Sequence, residues 1–274
     1  MKPTALCFGE ILFDVFGDER CIGGAPFNFA AHFAQLGGEA TMVSAVGEDE
    51  LGREALDLVK GYGIRTDHVA VLPRIATGTC EVSLVDGTPS YDLKTDVSYD
   101  RIPVPALKRS YSMLYFGTLA QRNDRSATTL DALLRSKAAE ETFFDINIRK
   151  SSCGYDRISE MLNYTTILKF SREEASVLGA GDLDKLCVEL ALAHKSIKLV
   201  IVTLDRDGAF VYDAKKRDFR FSRRPRTHVV STVGAGDGFS ARFMYDYLCG
   251  KPLDECIENA TRLAERICAQ KGAI

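Results

Sequence analysis

The residues best placed to do chemistry lie near the C-terminus. Ser231-Thr232-Val233-Gly234-Ala235-Gly236-Asp237 runs directly into Gly238-Phe239-Ser240-Ala241-Arg242-Phe243-Met244. Val229 and Val230 end an extended run, and the small residues after them turn the chain into a helix. A helix start carries unpaired N–H groups and the positive end of the backbone dipole, and glycines let an anion come close. The stretch therefore reads as a phosphate pocket. Asp237 is the odd member, because a carboxylate repels a resting phosphate and makes sense as a group that accepts a proton during transfer. A glycine-rich turn with an ordinary helix-start acid would look the same.

Two other phosphate signatures are excluded. The Gly-Lys pair Gly250-Lys251 is followed by Pro252, so no Walker A loop is present. A dinucleotide fingerprint from Gly234-Ala235-Gly236 needs a small residue at 239, where Phe239 stands.

Bulk composition fits an enzyme. The 274 residues are 46% hydrophobic, enough for a buried core. With 35 basic and 38 acidic residues well mixed, there is no basic face to favour nucleic acid as a partner. No long apolar stretch or leader-like N-terminus points to a membrane. The 8 cysteines are scattered and unpaired in spacing, which suits buried thiols in a reducing cytoplasm. The 4 histidines are not at ligand spacing.

The remaining elements must position the glycine loop. Thr4 to Phe8 reads as a buried first strand ending at Gly9-Glu10, and Ile11 to Phe16 as a second extended piece carrying Asp14. Gly23-Gly24-Ala25-Pro26 opens a helix stopped at Gly37-Gly38, with Asn28 in its first turn. An amide there, beside glycines that leave room, can bind hydroxyls or serve as a helix-start polar residue. Thr41 to Val46 (strand) and Leu51 to Gly61 (helix) follow. Thr79 to Val85 and Thr88 to Leu93 flank Asp86-Gly87 as a hairpin, expected to join the strand of Asp14 as a small β lid. Strand-helix alternation then resumes. It predicts strands at 113–116, 142–144, 166–168 and 198–204, helices at 124–136 and 182–194, a hairpin of 208–212 with 218–221, and closing helices at about 237–249 and 252–270. Such crossovers imply an α/β fold: a mainly parallel sheet, helices on both faces, ligands at the C-terminal strand ends. No linker divides the chain, so residues 1–274 are expected to form one domain, with a lid from about 11–23 and 76–98.

Gly23-Gly24 with Asn28, then Asp145-x-Asn147-x-Arg149, then Gly234-Ala235-Gly236-Asp237 occur in that order. This arrangement, spanning essentially the whole chain, resembles the ribokinase-like (PfkB) carbohydrate kinase family. The Gly9-Glu10-Ile11-Leu12-Phe13-Asp14 opening and the Asp145 motif are most similar to fructokinases. The resemblance implies a ribokinase-like fold and ATP-dependent transfer of phosphate to a sugar hydroxyl, fructose above ribose, 2-keto-3-deoxygluconate or a nucleoside. It implies that Asp14, Gly24, Asn28 and Arg149 bind the sugar and that Asp237 is the base. The N–H groups of Gly234, Ala235, Gly236 and Asp237 would form the anion hole. Lys169, Thr203, Gly208 and Asn259 would lie along ATP, Glu174 would organise Mg2+ through water, and the lid would also make a homodimer contact.

Three positions depart from the family pattern. Ser231 replaces an Asp that helps bind a monovalent cation, so the charge expected of a K+ site is missing. Ser171 stands for an Asn before Glu174, and Asp205 for a glycine in the nucleotide loop. These departures keep a second reading open, a sugar- or nucleotide-binding member with weak catalysis.

Overall fold

The computed structural model describes residues 2–85, 88–149, 151–179, 181–223, 229–270 and 272–274, with the backbone alone at 82–85 and 88–91. The chain begins with β1 (Thr4–Phe8), β2 (Leu12–Phe16), β3 (Glu19–Gly23), α1 (Ala25–Gln35), β4 (Glu39–Gly47), α2 (Glu50–Gly61), β5 (Arg65–Leu72), β6 (Gly78–Val85) and β7 (Thr88–Leu93). It continues through β8 (Tyr111–Phe116), α3 (Asp124–Arg135), β9 (Ala139–Asp145), α4 (Tyr155–Leu162), β10 (Ile167–Ser171), the single turn α5 (Ala175–Leu178), α6 (Leu183–Ala193) and β11 (Leu199–Thr203). The pair β12 (Ala209–Asp213) and β13 (Asp218–Ser222) precedes α7 (Ala235–Leu248) and α8 (Leu253–Cys268).

Among the described residues, nine strands form the central sheet in the order β13-β12-β11-β10-β9-β8-β1-β4-β5. The pairs from β5 to β11 are parallel, and β12 and β13 add an antiparallel edge. Their sequences are apolar on both sides because both faces are covered. In β1, Ala5 and Cys7 join the core beneath α1, α2, α7 and α8, while Leu6 and Phe8 join the opposite core beneath α3 to α6. Period-two alternation therefore sorts residues between two cores rather than between core and water. This is the architecture expected from the crossovers: a mainly parallel sheet flanked by helices.

A second sheet has four strands, β3-β2-β6-β7. β2 pairs antiparallel with β3 and parallel with β6, and β6 pairs antiparallel with β7. The extended pieces read at 11–16 and 79–93 do come together here. The Asp86-Gly87 turn lies outside the described residues. β3, within the 11–23 span expected to belong to the small sheet, pairs antiparallel with β2 from Leu12↔Gly23 to Phe16↔Glu19. The extended run read up to Val230 is not a strand at its described end. There the N–H groups of Val230 and Ser231 both donate to Cys268 O at the end of α8.

One side chain couples the small sheet to the large one. Asp49 caps α2 by accepting the Gly52 N–H at 2.7 Å, and it also accepts the Thr77 N–H at 2.8 Å and the Thr77 hydroxyl at 2.6 Å, just ahead of β6. Burial works against its charge, but the Thr77 and Gly52 donors prevail and hold its carboxyl below the usual aspartate range. Loss of such a cap typically costs about 1–2 kcal/mol. Asp49→Ala is expected to lower unfolding stability by about that amount in urea titrations, and Asp49→Asn by less, because its amide oxygen still accepts the Gly52 N–H.

Candidate active site

The strand ends and two helix starts converge on one cleft. Its first chamber, about 380 Å³, is lined by Glu10, Asp14, Gly24, Asn28, Arg149, Lys169, Gly234, Gly236 and Asp237, with Cys80 from the small sheet. The second, about 500 Å³, is lined by Asn147, Arg149, Lys169, Glu174, Thr203, Asp205, Gly208, Ala235 and Gly236. Asn147, Arg149, Lys169, Thr232 and Gly236 belong to both walls. Larger open grooves of about 600 and 760 Å³ lie at β5 and at the opposite end of β11, away from the glycine loop.

The glycine loop has the form that an anion site needs. Gly234 caps α7 in the left-handed region, φ 78°, and a Cβ there would stand 2.5 Å from the Ala273 side chain. The loop is seated on the C-terminal segment by that contact and by Cys268 O. His32 of α1 holds the same segment through a 2.8 Å hydrogen bond between Nε2 and Ala273 O. The Ala235 N–H donates to Thr232 O at 3.3 Å. Among the described residues, the N–H groups of Gly234, Gly236 and Asp237 have no acceptor. Three of the four expected donors are therefore free, and Ala235 is the exception.

Asp237 stands in the first turn of α7. Its Oδ2 accepts the Asn28 amide Nδ2–H at 2.8 Å. Asn28 Oδ1 is buried without a hydrogen-bond partner among the described residues. Burial raises the Asp237 pKa, opposed by the Asn28 hydrogen bond and then by Lys169 and Arg149. The carboxylate is thus oriented, poorly hydrated and more basic than a surface aspartate.

Beneath the loop lies a buried ion pair. Lys169 Nζ is 3.0 and 3.1 Å from the two oxygens of Asp145, and Asp145 is fully buried. Ser240 donates to Asp145 Oδ2 at 3.2 Å, and Tyr115 approaches the same oxygen at 3.4 Å. Burial pushes Asp145 up to about 6 against the pull of Lys169. Burial also opposes the Lys169 charge, but the carboxylates of Asp145, Glu174 and Asp237 outweigh it and keep the amine protonated. A Cβ on Gly236 would sit 3.3 Å from Lys169 Nζ. Glycine there leaves the ammonium directly under the loop.

The other expected residues divide. Asp14, Gly24, Asn28 and Arg149 share the first chamber, and Thr203, Gly208 and Glu174 share the second. Asn259 is not on either wall; its amide donates to Asp246 Oδ2 at 2.8 Å, because α8 turns that position toward the C-terminal half of α7. Thr261, Ala264 and Cys268 face the chamber instead. Glu174 is not a free ligand. Its two oxygens accept the N–H groups of Ile148 at 2.7 Å and Ser171 at 2.8 Å, which locks the ends of β9 and β10 together. Among the described residues no group of three or more His, Cys, Asp or Glu is arranged to hold a metal. This donor set suits a hydrated metal carried on a polyphosphate, not an all-protein cage. Asp205 takes φ 54°, the region glycine favours, and its carboxylate joins the second wall. Ser231 Oγ accepts the Val233 N–H at 3.2 Å.

Sequence reasoning passed over Glu10 as a site residue, although its place just after β1 was a signal, since ligands gather at C-terminal strand ends. The contacts of Asp145 with Ser240, and of His32 with Ala273, had no local signal.

Residues 4–274 match the family described as pfkB family carbohydrate kinase. A sugar kinase of Archaeoglobus fulgidus is 30% identical over 88% of this chain and 95% of its own length. A fructokinase of Rhizobium leguminosarum bv. trifolii is 30% identical over 86% of this chain and 77% of its own. Among solved structures, a fructokinase from Vibrio cholerae O395, with fructose, ADP and calcium ion bound, superposes with a TM-score of 0.87 at 21% identity, covering 99% of this chain and 94% of that one.

Breaking a buried ion pair from one side costs about 3–5 kcal/mol, because the partner charge is left unpaired. Lys169→Met is expected to lose about that much unfolding free energy. Lys169→Met combined with Asp145→Asn is expected to lose clearly less than the sum of the single changes, as read from a double-mutant cycle in denaturant.

Proposed function

The chain belongs to the pfkB family of carbohydrate kinases, and from that premise we propose that it transfers the terminal phosphate of ATP to a primary hydroxyl of a small sugar, fructose first. One observation carries the reading. Asp237, a carboxylate of raised pKa, stands in the first turn of α7 beside free N–H groups, facing the chamber that also holds Asp14, Asn28 and Arg149. A pure binding protein has no use for a base among anion-binding donors.

The division of labour follows from position. Asp14, Gly24 and Asn28 take the sugar hydroxyls in the first chamber, and Asp237 accepts the proton of the attacking hydroxyl. The N–H groups of Gly234, Gly236 and Asp237, with Lys169 beneath and Arg149 above, meet the negative charge that builds up during transfer. Thr203 and Gly208 border the nucleotide in the second chamber. ATP supplies the phosphoryl group, and Glu174 would hold, through water, the Mg2+ that would neutralise charge on its phosphates. The small sheet closes on the sugar and excludes water, which would otherwise compete as acceptor. Its edge is also where a second copy would dock. The preference for fructose is supported by the Rhizobium relative, a fructokinase, and a sugar panel decides it.

Asp237→Asn is expected to lower kcat by about 10²–10⁴-fold with little change in the KM for ATP, measured by coupled ADP release over a panel of ketoses, ribose and nucleosides. Because the base works only when ionised, and its pKa is raised, wild-type kcat should fall on acidification at a pH above the ordinary aspartate range. Sugar binding with no turnover at any pH would support the binding protein instead. With Ser231 engaged by Val233, exchange of K+ for choline is expected to change kcat by less than about twofold.

A further inference from the structure

The first chamber holds a carboxylate to which neither the sequence motifs nor the family resemblance gave a role. Glu10 follows Gly9 at the end of β1, is 4% exposed, and lines the chamber with Asp14, Asn28, Arg149 and Asp237. Its seat is specific. Gly24 has φ 110°, and a Cβ there would lie 2.6 Å from the Glu10 carbonyl oxygen and 3.2 Å from its Cγ. The bare α-carbon lets Glu10 lie against the start of α1, where the Ala25 N–H donates to Oε1 at 3.2 Å.

That support is thin for a buried charge. A carboxylate offers about four acceptor positions. Among the described residues few of them are filled, by the Ala25 N–H and Glu10's own backbone N–H. Burial is the leading influence and pushes Glu10 up to about 7; the two backbone donors oppose it, Asp237 adds to it, and Arg149 opposes it. Tyr99, Tyr115 and Arg122 also feel its charge. If Glu10 only filled space, glutamine or methionine would do so at lower desolvation cost. A carboxylate with unused acceptor positions on the wall of a sugar chamber is suited to hydroxyl groups.

We propose that Glu10 is a specificity residue, whose carboxylate accepts a hydrogen bond from a sugar hydroxyl other than the one phosphorylated. The inference rests on the sugar-kinase reading of this chamber. Glu10 then decides which polyols are held long enough to react, while Asp237 performs the proton transfer. In its ionised form Glu10 accepts most strongly, so sugar affinity should weaken as the pH falls below about 7.

The test is steady-state kinetics on the full chain, using the sugar that turns over best and its monodeoxy analogues, for wild type and Glu10→Gln. A hydrogen bond to a charged group contributes about 10- to 100-fold. Glu10→Gln should raise the sugar KM by about that factor while kcat and the KM for ATP stay within about threefold. One deoxy analogue should lose about 10-fold or more in kcat/KM with wild type and less than about threefold with Glu10→Gln. The wild-type rise in sugar KM on the acid side should disappear in the variant. Equal losses for every analogue, a kcat loss at constant KM, or an unchanged KM would each overturn the proposal while leaving the kinase reading intact. Should Glu10→Gln not fold, a wild-type sugar KM that stays flat across neutral pH overturns it. If no sugar turns over, the kinase reading fails first, and this proposal fails with it.

Discussion

A single hydrogen bond, from Asn28 Nδ2 to Asp237 Oδ2, joins residues 209 positions apart and aligns the starts of two helices. Almost everything else in the cleft depends on that alignment. α1 and α7 pack side by side on the same face of the sheet, with Phe29 and Phe33 in the same core as Phe239 and Phe243. Both helices start at the cleft, so both turn positive dipole ends to one volume; at α1 Glu10 takes up the Ala25 N–H, while at α7 the N–H groups of Gly236 and Asp237 have no acceptor among the described residues. Such a volume attracts anions from two sides. Glu10 answers the start of α1 and Asp237 stands at that of α7. Each carboxylate is stabilised by a helix start but disfavoured by burial, and burial wins in both cases. The result is a pair of desolvated acids, both more basic than surface carboxylates, on the wall of one chamber.

Charge balance explains why the cations are where they are. Lys169 is anchored from below by Asp145 and cannot move toward a ligand without breaking a buried pair. It acts as a fixed charge under a loop of bare backbone. Arg149 is exposed, and among the described residues its guanidinium makes one hydrogen bond, to Ile148 O at 3.4 Å. The wall shared by the two chambers thus carries one cation fixed by a buried carboxylate and one held only by backbone at its edge.

The sequence made the fold and most of the cleft legible because both are written in local patterns. Apolar strands, Gly23-Gly24 before α1 and the Gly234 to Asp237 turn each follow from backbone rules over a few residues. Boundaries moved by a few positions: the strand read at 142–144 is Ala139–Asp145, since pairing with β8 extends it past its most apolar core. What could not be read was set by distance in sequence. The Asp145–Lys169–Ser240 cluster and the His32 contact to Ala273 join segments 24 to 241 residues apart, and none of them has a periodic signature. Asn259 misled for the opposite reason. Its neighbours Thr261 and Ala264 do face the second chamber, and a helix turns by 100° per residue, so a shift of two positions points a side chain elsewhere.

The position of the small sheet follows from the same geometry. β2 leaves the cleft one residue after Ile11, so Asp14 and Glu10 lie on opposite sides of a sharp exit from β1. Gly23 closes the far end of the β2–β3 pair, and a Cβ there would stand 2.9 Å from Asp14 Oδ2. Burial raises Asp14, while its hydrogen bond with Cys80 of β6 and the charge of Arg149 lower it. The small sheet therefore contributes to the chamber wall a carboxylate whose surroundings come from three strands of one sheet and a loop of the other, so the two sheets meet in the environment of that one side chain.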